Sequence, residues 1–85
     1  QPISPAVTLE QLPQRQQGTV AVVDWARLSE AEARRLRELG FEEGVGVEVL
    51  HRAGLRGGPI ACRIGRMTVA LRRAVAGTIH VAVAA

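Results

Sequence analysis

The chain has 85 residues, 47% hydrophobic, 22% charged and only 2% aromatic, which leaves room for one domain with one small core. A single cysteine, Cys62, excludes an internal disulfide framework and favours a reducing compartment. Eleven arginines against eight acidic residues give a net charge of +3, too modest to demand a nucleic-acid partner. No apolar run reaches the roughly 20 residues that cross a bilayer, and no signal segment opens the chain, so we expect a cytoplasmic protein.

The N-terminal lead-in is polar and rich in proline, and it precedes a first strand. Thr8 and Gln11 have the spacing of a capping box that opens one short helical turn. Leu9 and Leu12 would form the buried side of that turn. Residues 19–23 are rich in β-branched side chains and predict a largely buried strand.

The clearest helical signal follows this strand. Ser29 and Glu32 form a second capping box, and Gly40 stands where a helix-ending glycine belongs. Phe41 can then fold back onto the last turn of the helix. Residues 29–39 therefore predict one amphipathic helix that covers a sheet.

The C-terminal half changes to a period of two, which is typical of strands. The alternating stretches are residues 45–50, 60–64, 67–71 and 78–82. Gly65 and Arg66 predict a tight hairpin between the second and third of these stretches. In residues 67–71 the first, third and fifth side chains are expected to point inward. Residues 73–77 predict a single 3₁₀ turn.

These elements predict a mainly β fold of about five strands with one α-helix. Closing the sheet into a small barrel would hide most strand edges of so short a chain. The last strand is expected to leave an edge to which a second copy of the chain could pair, which would give a homo-oligomer.

Residues suited to catalysis are scarce. The chain has no lysine for a phosphate-binding loop and only two serines, Ser4 and Ser29, neither in a nucleophile motif. Cys62 lies between the inward positions Ile60 and Ile64, which favours a buried, unreactive thiol over a reactive or metal-binding one. The sequence therefore predicts no enzyme, no catalytic residue and no cofactor.

Metal ligands are equally sparse, because His51 and His80 are the only histidines and no familiar ligand spacing occurs. Both histidines are out of phase with the buried residues of their strands, which favours surface positions. Glu48 is the nearest carboxylate to complete a set. Any divalent ion at His51, His80 and Glu48 would be adventitious or shared between molecules.

The two aromatic residues, Trp25 and Phe41, are too few for a base-stacking surface, which counts against nucleic-acid binding. Trp25 is expected to be half-exposed, either as packing or as an anchor for a partner.

Short motifs along the chain follow one another in a specific order. They include Leu9-x-x-Leu12, Leu36-x-x-Leu39-Gly40-Phe41, Gly44-Val45-x-Val47-x-Val49, Gly57-Gly58-Pro59, Ala70-Leu71-Arg72 and Ala76-x-x-Ile79-x-Val81. This order resembles the ferrous iron transport protein A (FeoA) family over about residues 8–83. The resemblance implies a small cytoplasmic SH3-like barrel, so residues 1–85 would form a single FeoA-like domain.

The same resemblance implies a non-enzymatic accessory of ferrous iron uptake, without a dedicated cofactor. Its partner would be the FeoB membrane permease and that permease's cytoplasmic GTP-binding domain. Leu55, in a glycine-rich loop between Arg52 and Arg56, either caps the barrel or anchors that partner. We predict Leu55, Arg52 and Arg56 as the partner-binding residues.

Two alternatives stay open at this point. A related SH3-like module forms the tail domain of iron-dependent repressors, so the chain could be a metal-responsive regulatory domain. The arginines keep a nucleic-acid-binding barrel as a second alternative, although the sequence predicts no helix-turn-helix for direct DNA binding.

Overall fold

The computed structural model describes residues 6–52 and 58–83. The elements within these ranges are β1 (Ala6–Thr8), β2 (Gln17–Val23), a 3₁₀ turn (Trp25–Arg27), α1 (Glu30–Leu39), β3 (Gly46–Arg52), β4 (Ile60–Ile64), β5 (Met67–Leu71), α2 (Arg73–Ala76) and β6 (Ile79–Val83). The strands form one antiparallel sheet in the order β1-β6-β2-β3-β4-β5. The mainly β fold with one full-length helix is as the sequence predicted, with one more strand.

Helix α1 begins and ends where the sequence predicts. The Ser29 hydroxyl accepts a hydrogen bond from Glu32 N–H at 3.1 Å, and Glu32 Oε1 accepts one from Ser29 N–H at 2.9 Å. Gly40 ends the helix with φ +94°, a left-handed conformation that costs glycine little. Phe41 N–H then donates to the Leu36 carbonyl at 3.0 Å, and the Phe41 side chain is fully buried.

The N-terminal turn keeps only half of its predicted capping box. Thr8 N–H donates to Gln11 Oε1 at 3.2 Å, and Leu12 N–H donates to the Thr8 carbonyl at 3.0 Å. The reciprocal bond, from Gln11 N–H to the Thr8 hydroxyl, is not made, because Gln11 N–H donates to the Thr8 carbonyl at 2.9 Å, and the buried hydroxyl oxygen has no partner among the described residues. Leu9 and Leu12 are fully buried, as predicted.

The sheet departs from the predicted strands in three places. The sequence does not indicate strand β1, because three residues after a proline give no periodic signal and are a strand only through their pairing with β6. Consequently β6 lies between β1 and β2 rather than at an edge, which overturns the prediction of a free terminal strand. The stretch at 73–77 forms one α-helical turn, α2, instead of a 3₁₀ turn.

Two apolar residues, Val22 and Met67, are also more exposed than the alternation predicted. Met67 is 45% exposed and is the first residue of β5, an edge strand of the sheet. Val22 is 58% exposed, because the register of β2 against β6 shifts between Val20 and Val22 and interrupts the alternation. The run from Thr19 to Val23 is therefore only half buried.

The core is formed by side chains of the sheet together with those of α1, α2 and the N-terminal turn. Its members with no exposed surface are Leu9, Leu12, Phe41, Val49, Ile60, Cys62, Ala76, Ile79 and Val81. The β4–β5 hairpin closes through Gly65 and Arg66, as predicted. Gly65 has φ +59° and Arg66 does not have a positive φ, which fits a type II′ turn.

We expect Gly18→Ala to lower the free energy of unfolding by roughly 1–3 kcal/mol, because β2 and β6 approach closely there. The added Cβ would lie 2.5 Å from Val81 Cγ1 and 2.9 Å from the backbone oxygen of Ala82. Gly46→Ala on neighbouring β3 is the matched control, since nothing lies within 4 Å of its added Cβ. Denaturant unfolding should separate the two variants, and equal stabilities would contradict the close approach.

Candidate protein-interaction surface

The three predicted metal ligands lie on different parts of the sheet. Glu48 is opposite Gln17 on β2, whereas His80 on β6 is opposite Val22 of that same strand. Five residues along a strand separate Gln17 from Val22, which corresponds to about 16 Å. The carboxylate of Glu48 instead pairs with Arg63 across the β3–β4 ladder, at 3.1 Å.

Of the two histidines predicted at the surface, one is exposed and the other is partly covered. His51 is exposed beyond the register shift of β3, and His80 is half-buried. Within residues 6–52 and 58–83, no group of three or more histidine, cysteine, aspartate or glutamate side chains is placed to hold a metal ion.

Arg52, one of the three predicted partner residues, makes contacts within its own chain. Its guanidinium donates to the backbone oxygens of Glu10, at 2.8 Å, and of Leu12. These bonds span about 40 positions of sequence and attach the N-terminal turn to the end of β3. Arg52 therefore has a structural role that local sequence patterns could not indicate. Leu55 and Arg56 lie outside the described residues.

Arg52→Met should lower the free energy of unfolding by roughly 1–3 kcal/mol, because two partly buried carbonyls lose a charged donor. Arg63→Met serves as the control: the Arg63 side chain is 49% exposed and its ion pair should contribute less than about 1 kcal/mol. Thermal unfolding of both variants tests this. If Arg52→Met melted like the wild type, the attachment would be energetically unimportant.

Cys62 is buried with no exposed surface, as predicted from its strand. Loss of water around the sulfur raises the pKa of the thiol to about 11. At neutral pH the thiol is protonated, and a protonated thiol is a poor nucleophile.

Trp25 forms an amphipathic surface feature with helix α1. It is half-buried, and the Arg37 guanidinium lies 4.4 Å from the centre of its ring, which is a cation–π contact. Two shallow grooves of about 380 and 410 Å³ flank the pair. The sequence indicated Trp25 as a half-exposed residue but gave no signal for Arg37 as its partner.

Charge is divided unequally along the chain. Residues 24–48 carry seven acidic and four basic side chains, a net charge of −3. Residues 49–85 carry six arginines and no acidic side chain, a net charge of +6. The surface formed by β4, β5 and α2 is therefore basic, whereas α1 and the turn after it carry most of the acidic groups.

Comparison with known proteins identifies the family. A FeoA domain model matches residues 7–83, almost the whole chain. The chain belongs to the FeoA family. A search of curated proteins gives no significant match.

Solved FeoA structures share the SH3-like fold of this FeoA chain. FeoA of Stenotrophomonas maltophilia, an SH3 domain protein complexed with zinc, is 35% identical with a TM-score of 0.76, and the match covers 88% of each chain. FeoA of Chlorobium tepidum is 32% identical with a TM-score of 0.80, and the match covers 93% of this chain and 71% of the other. FeoA proteins are associated with ferrous iron transport and are not a known enzyme family.

A manganese-dependent transcriptional repressor contains the same fold as one part of its chain. It is 28% identical with a TM-score of 0.82, and the match covers 98% of this FeoA chain but only 44% of the repressor. The SH3-like domain thus occurs both in FeoA proteins and in metal-dependent repressors. In the described residues of this FeoA chain, no helix is long and apolar enough to span a membrane.

Proposed function

We propose that this chain is a non-enzymatic accessory of ferrous iron uptake that acts by direct contact with a FeoB-type permease. The contact is with the cytoplasmic part of the permease and its GTP-binding domain, and the chain acts in the cytoplasm. The observation that carries the proposal is the FeoA family match over residues 7–83. The role needs no catalytic residue and no resident cofactor.

The surface of the domain supports action by protein contact. The grooves beside Trp25 are shallow and open, whereas small-molecule sites enclose most of their ligand. The apolar side chains of the sheet interior are committed to the core. A large, flat partner suits such a surface better than a small substrate.

Leu55 and Arg56 stay the proposed partner-binding residues. Arg52 contributes by fixing the end of β3 from which their loop departs, since its guanidinium bonds to Glu10 and Leu12. An apolar side chain next to arginines suits an acidic protein face.

The proposal is tested in a strain that lacks its own FeoA and is complemented with this chain. Leu55→Asp should reduce uptake of radiolabelled ferrous iron to the level of the uncomplemented strain while the purified variant keeps its melting temperature. Gln14→Asp is the matched control and should keep normal uptake, because Gln14 is exposed and lines neither groove beside Trp25. Normal uptake with Leu55→Asp would contradict the proposed surface. Failure of the wild-type chain to restore uptake, together with failure to co-purify the permease, would contradict the function.

A metal-responsive regulatory domain is the second candidate, favoured by the repressor likeness over 98% of this chain. It predicts that Mn²⁺ or Fe²⁺ stabilises the purified domain. A single site at about 100 times its dissociation constant would add roughly 2.7 kcal/mol. Melting temperatures that do not change with either metal would exclude this candidate.

A further inference from the structure

Strand β5 presents an unpaired edge at one end of the sheet. In the part of the chain that the structure describes, it pairs only with β4, from Ile64↔Met67 to Ile60↔Leu71. In a hairpin with a two-residue turn, the residue pair next to the turn exchanges backbone hydrogen bonds. The backbone N–H and C=O groups of every second residue from there point away from the partner strand. The N–H and C=O groups of Thr68 and Ala70 therefore face outward. Within residues 6–52 and 58–83, none of these four backbone groups has a backbone partner outside the β4–β5 ladder.

This edge lacks the features that normally prevent strand addition. Residues 67–71 contain no charge and no proline, whereas exposed edges are usually protected by lysine, proline or a bulge. The five β4–β5 pairs are in continuous register, unlike the β2–β6 and β3–β4 ladders, which both shift. The opposite edge, β1, has only three residues. Strand β5 is thus a regular and chemically neutral template.

An apolar groove of about 270 Å³ continues the edge toward α1. Its lining residues include Leu36 and Arg35 of α1, Ala70 and Leu71 of β5, and Val75 of α2. A strand added to β5 would direct every second side chain toward this groove and toward the exposed Met67. Apolar side chains at those positions would cover surface that is now in contact with water.

The charges around β5 favour an acidic occupant. Arg66 and Arg72, both exposed, stand immediately before and after the strand, and Arg72 keeps an extended backbone with φ −64° and ψ 145°. Arg35 adds a third positive charge at the groove. The carboxylate of Glu32 also lines the groove, but it caps α1 through Ser29 N–H.

A second copy of the chain is a poor occupant for the same reason. Two β5 strands paired antiparallel about Val69 would place Arg66 of each copy opposite Arg72 of the other. Like charges directly opposite one another destabilise a strand pair. A partner segment with carboxylates at these two positions would gain attraction at both ends instead.

We propose that the β5 edge binds an extended segment of a partner protein by strand addition. The segment carries carboxylates six residues apart, and they flank an uncharged stretch whose alternate residues are apolar. The backbone of Thr68 and Ala70 supplies the hydrogen bonds, while Arg66 and Arg72 select the acidic ends. This proposal goes beyond the proposed function, because it states which kind of peptide segment the β5 edge binds, whichever protein carries that segment.

The test uses the purified full chain and the synthetic peptide acetyl-Glu-Val-Thr-Val-Thr-Val-Glu-amide. Binding should shift the amide resonances of Thr68 and Ala70. The same peptide with lysine at both ends should bind roughly tenfold more weakly, since two attractive charge pairs become repulsive. Charge reversal by Arg66→Glu with Arg72→Glu should exchange that preference.

Ala70→Pro is the second variant, because it removes an N–H group that β4 does not use, and edge strands accept proline there. It should abolish binding of the acidic peptide while far-UV circular dichroism and melting temperature stay close to those of the wild type. Absence of binding, equal binding of both peptides, or resonance shifts at another surface would overturn the proposal. Concentration-dependent dimerisation lost in Ala70→Pro would assign the edge to a second copy and also overturn it. These measurements need no permease, so they can fail while the iron-uptake test succeeds.

Discussion

Phe41→Ala should lower the free energy of unfolding by about 3–5 kcal/mol, the range for removal of a fully buried phenylalanine ring. The side chain of Phe41 has no exposed surface. Its N–H bonds to the Leu36 carbonyl, so the residue is fixed directly after the Gly40 turn. The surrounding backbone therefore cannot easily collapse into the cavity that alanine would leave. A domain of this size has a total stability of only about 4–13 kcal/mol, and the variant would lose a large part of it.

Glu42→Ala is the control for this variant, because Glu42 is the next residue and is exposed. Its stability should stay within about 0.5 kcal/mol of the wild type. Denaturant unfolding followed by the fluorescence of Trp25, the only tryptophan, measures both. If Phe41→Ala lost less than 1 kcal/mol, the ring could not be closing the core between α1 and the sheet.

Elements with local signals were predictable from the sequence. The ends of α1 depend on a capping box within four residues and on one glycine, and both formed where they were expected. The inward residues of β4 and β6 follow simple alternation, so burial of Cys62, Ile79 and Val81 could be predicted without knowing the topology. The turn of the β4–β5 hairpin could be predicted from Gly65 and Arg66 alone.

Features that depend on long-range pairing could not be predicted in this way. Strand β1 exists because β6 pairs with it about 74 positions later in the chain. The exposure of Val22 follows from a register shift, and a run of valine and alanine gives no sign of where such a shift falls. The exposure of Met67 depends on which strand forms the sheet edge.

The residues of the candidate site also divide into features that local sequence indicates and features that depend on long-range contacts. Arg52 was selected from charge and position, yet its guanidinium holds carbonyls about 40 residues earlier in the chain. The β5 edge became visible only with the strand order, because its five residues resemble any alternating strand. The sequence shows the two flanking arginines, Arg66 and Arg72. It does not show that the strand between them lies at the edge of the sheet, where the two charges can contact an added strand.

The stability of the domain should also fall at alkaline pH through one group, Cys62. Burial raises the pKa of its thiol from the ordinary value of 9.0 to about 11. Between these values the unfolded chain releases the thiol proton and the folded chain retains it, so the folded state is progressively disfavoured. The contribution of the buried, protonated thiol to the free energy of unfolding is complete well below pH 9, declines as the pH rises toward 11, and is lost well above pH 11.

Two pKa units correspond to roughly 3 kcal/mol, the full decrease in the free energy of unfolding that we expect from well below pH 9 to well above pH 11, and about 2 kcal/mol of it falls between pH 9 and 11. The chain contains no lysine and no tyrosine, and the α-amino group titrates near pH 8, so few other groups contribute in this range. Cys62→Val is the matched control, since valine fills a similar buried volume and cannot ionise. Urea unfolding at intervals of half a pH unit should show a steep decline for the wild type and a nearly flat profile for the variant. Parallel declines in both proteins would mean that the thiol is not the group responsible and that its burial does not oppose ionisation.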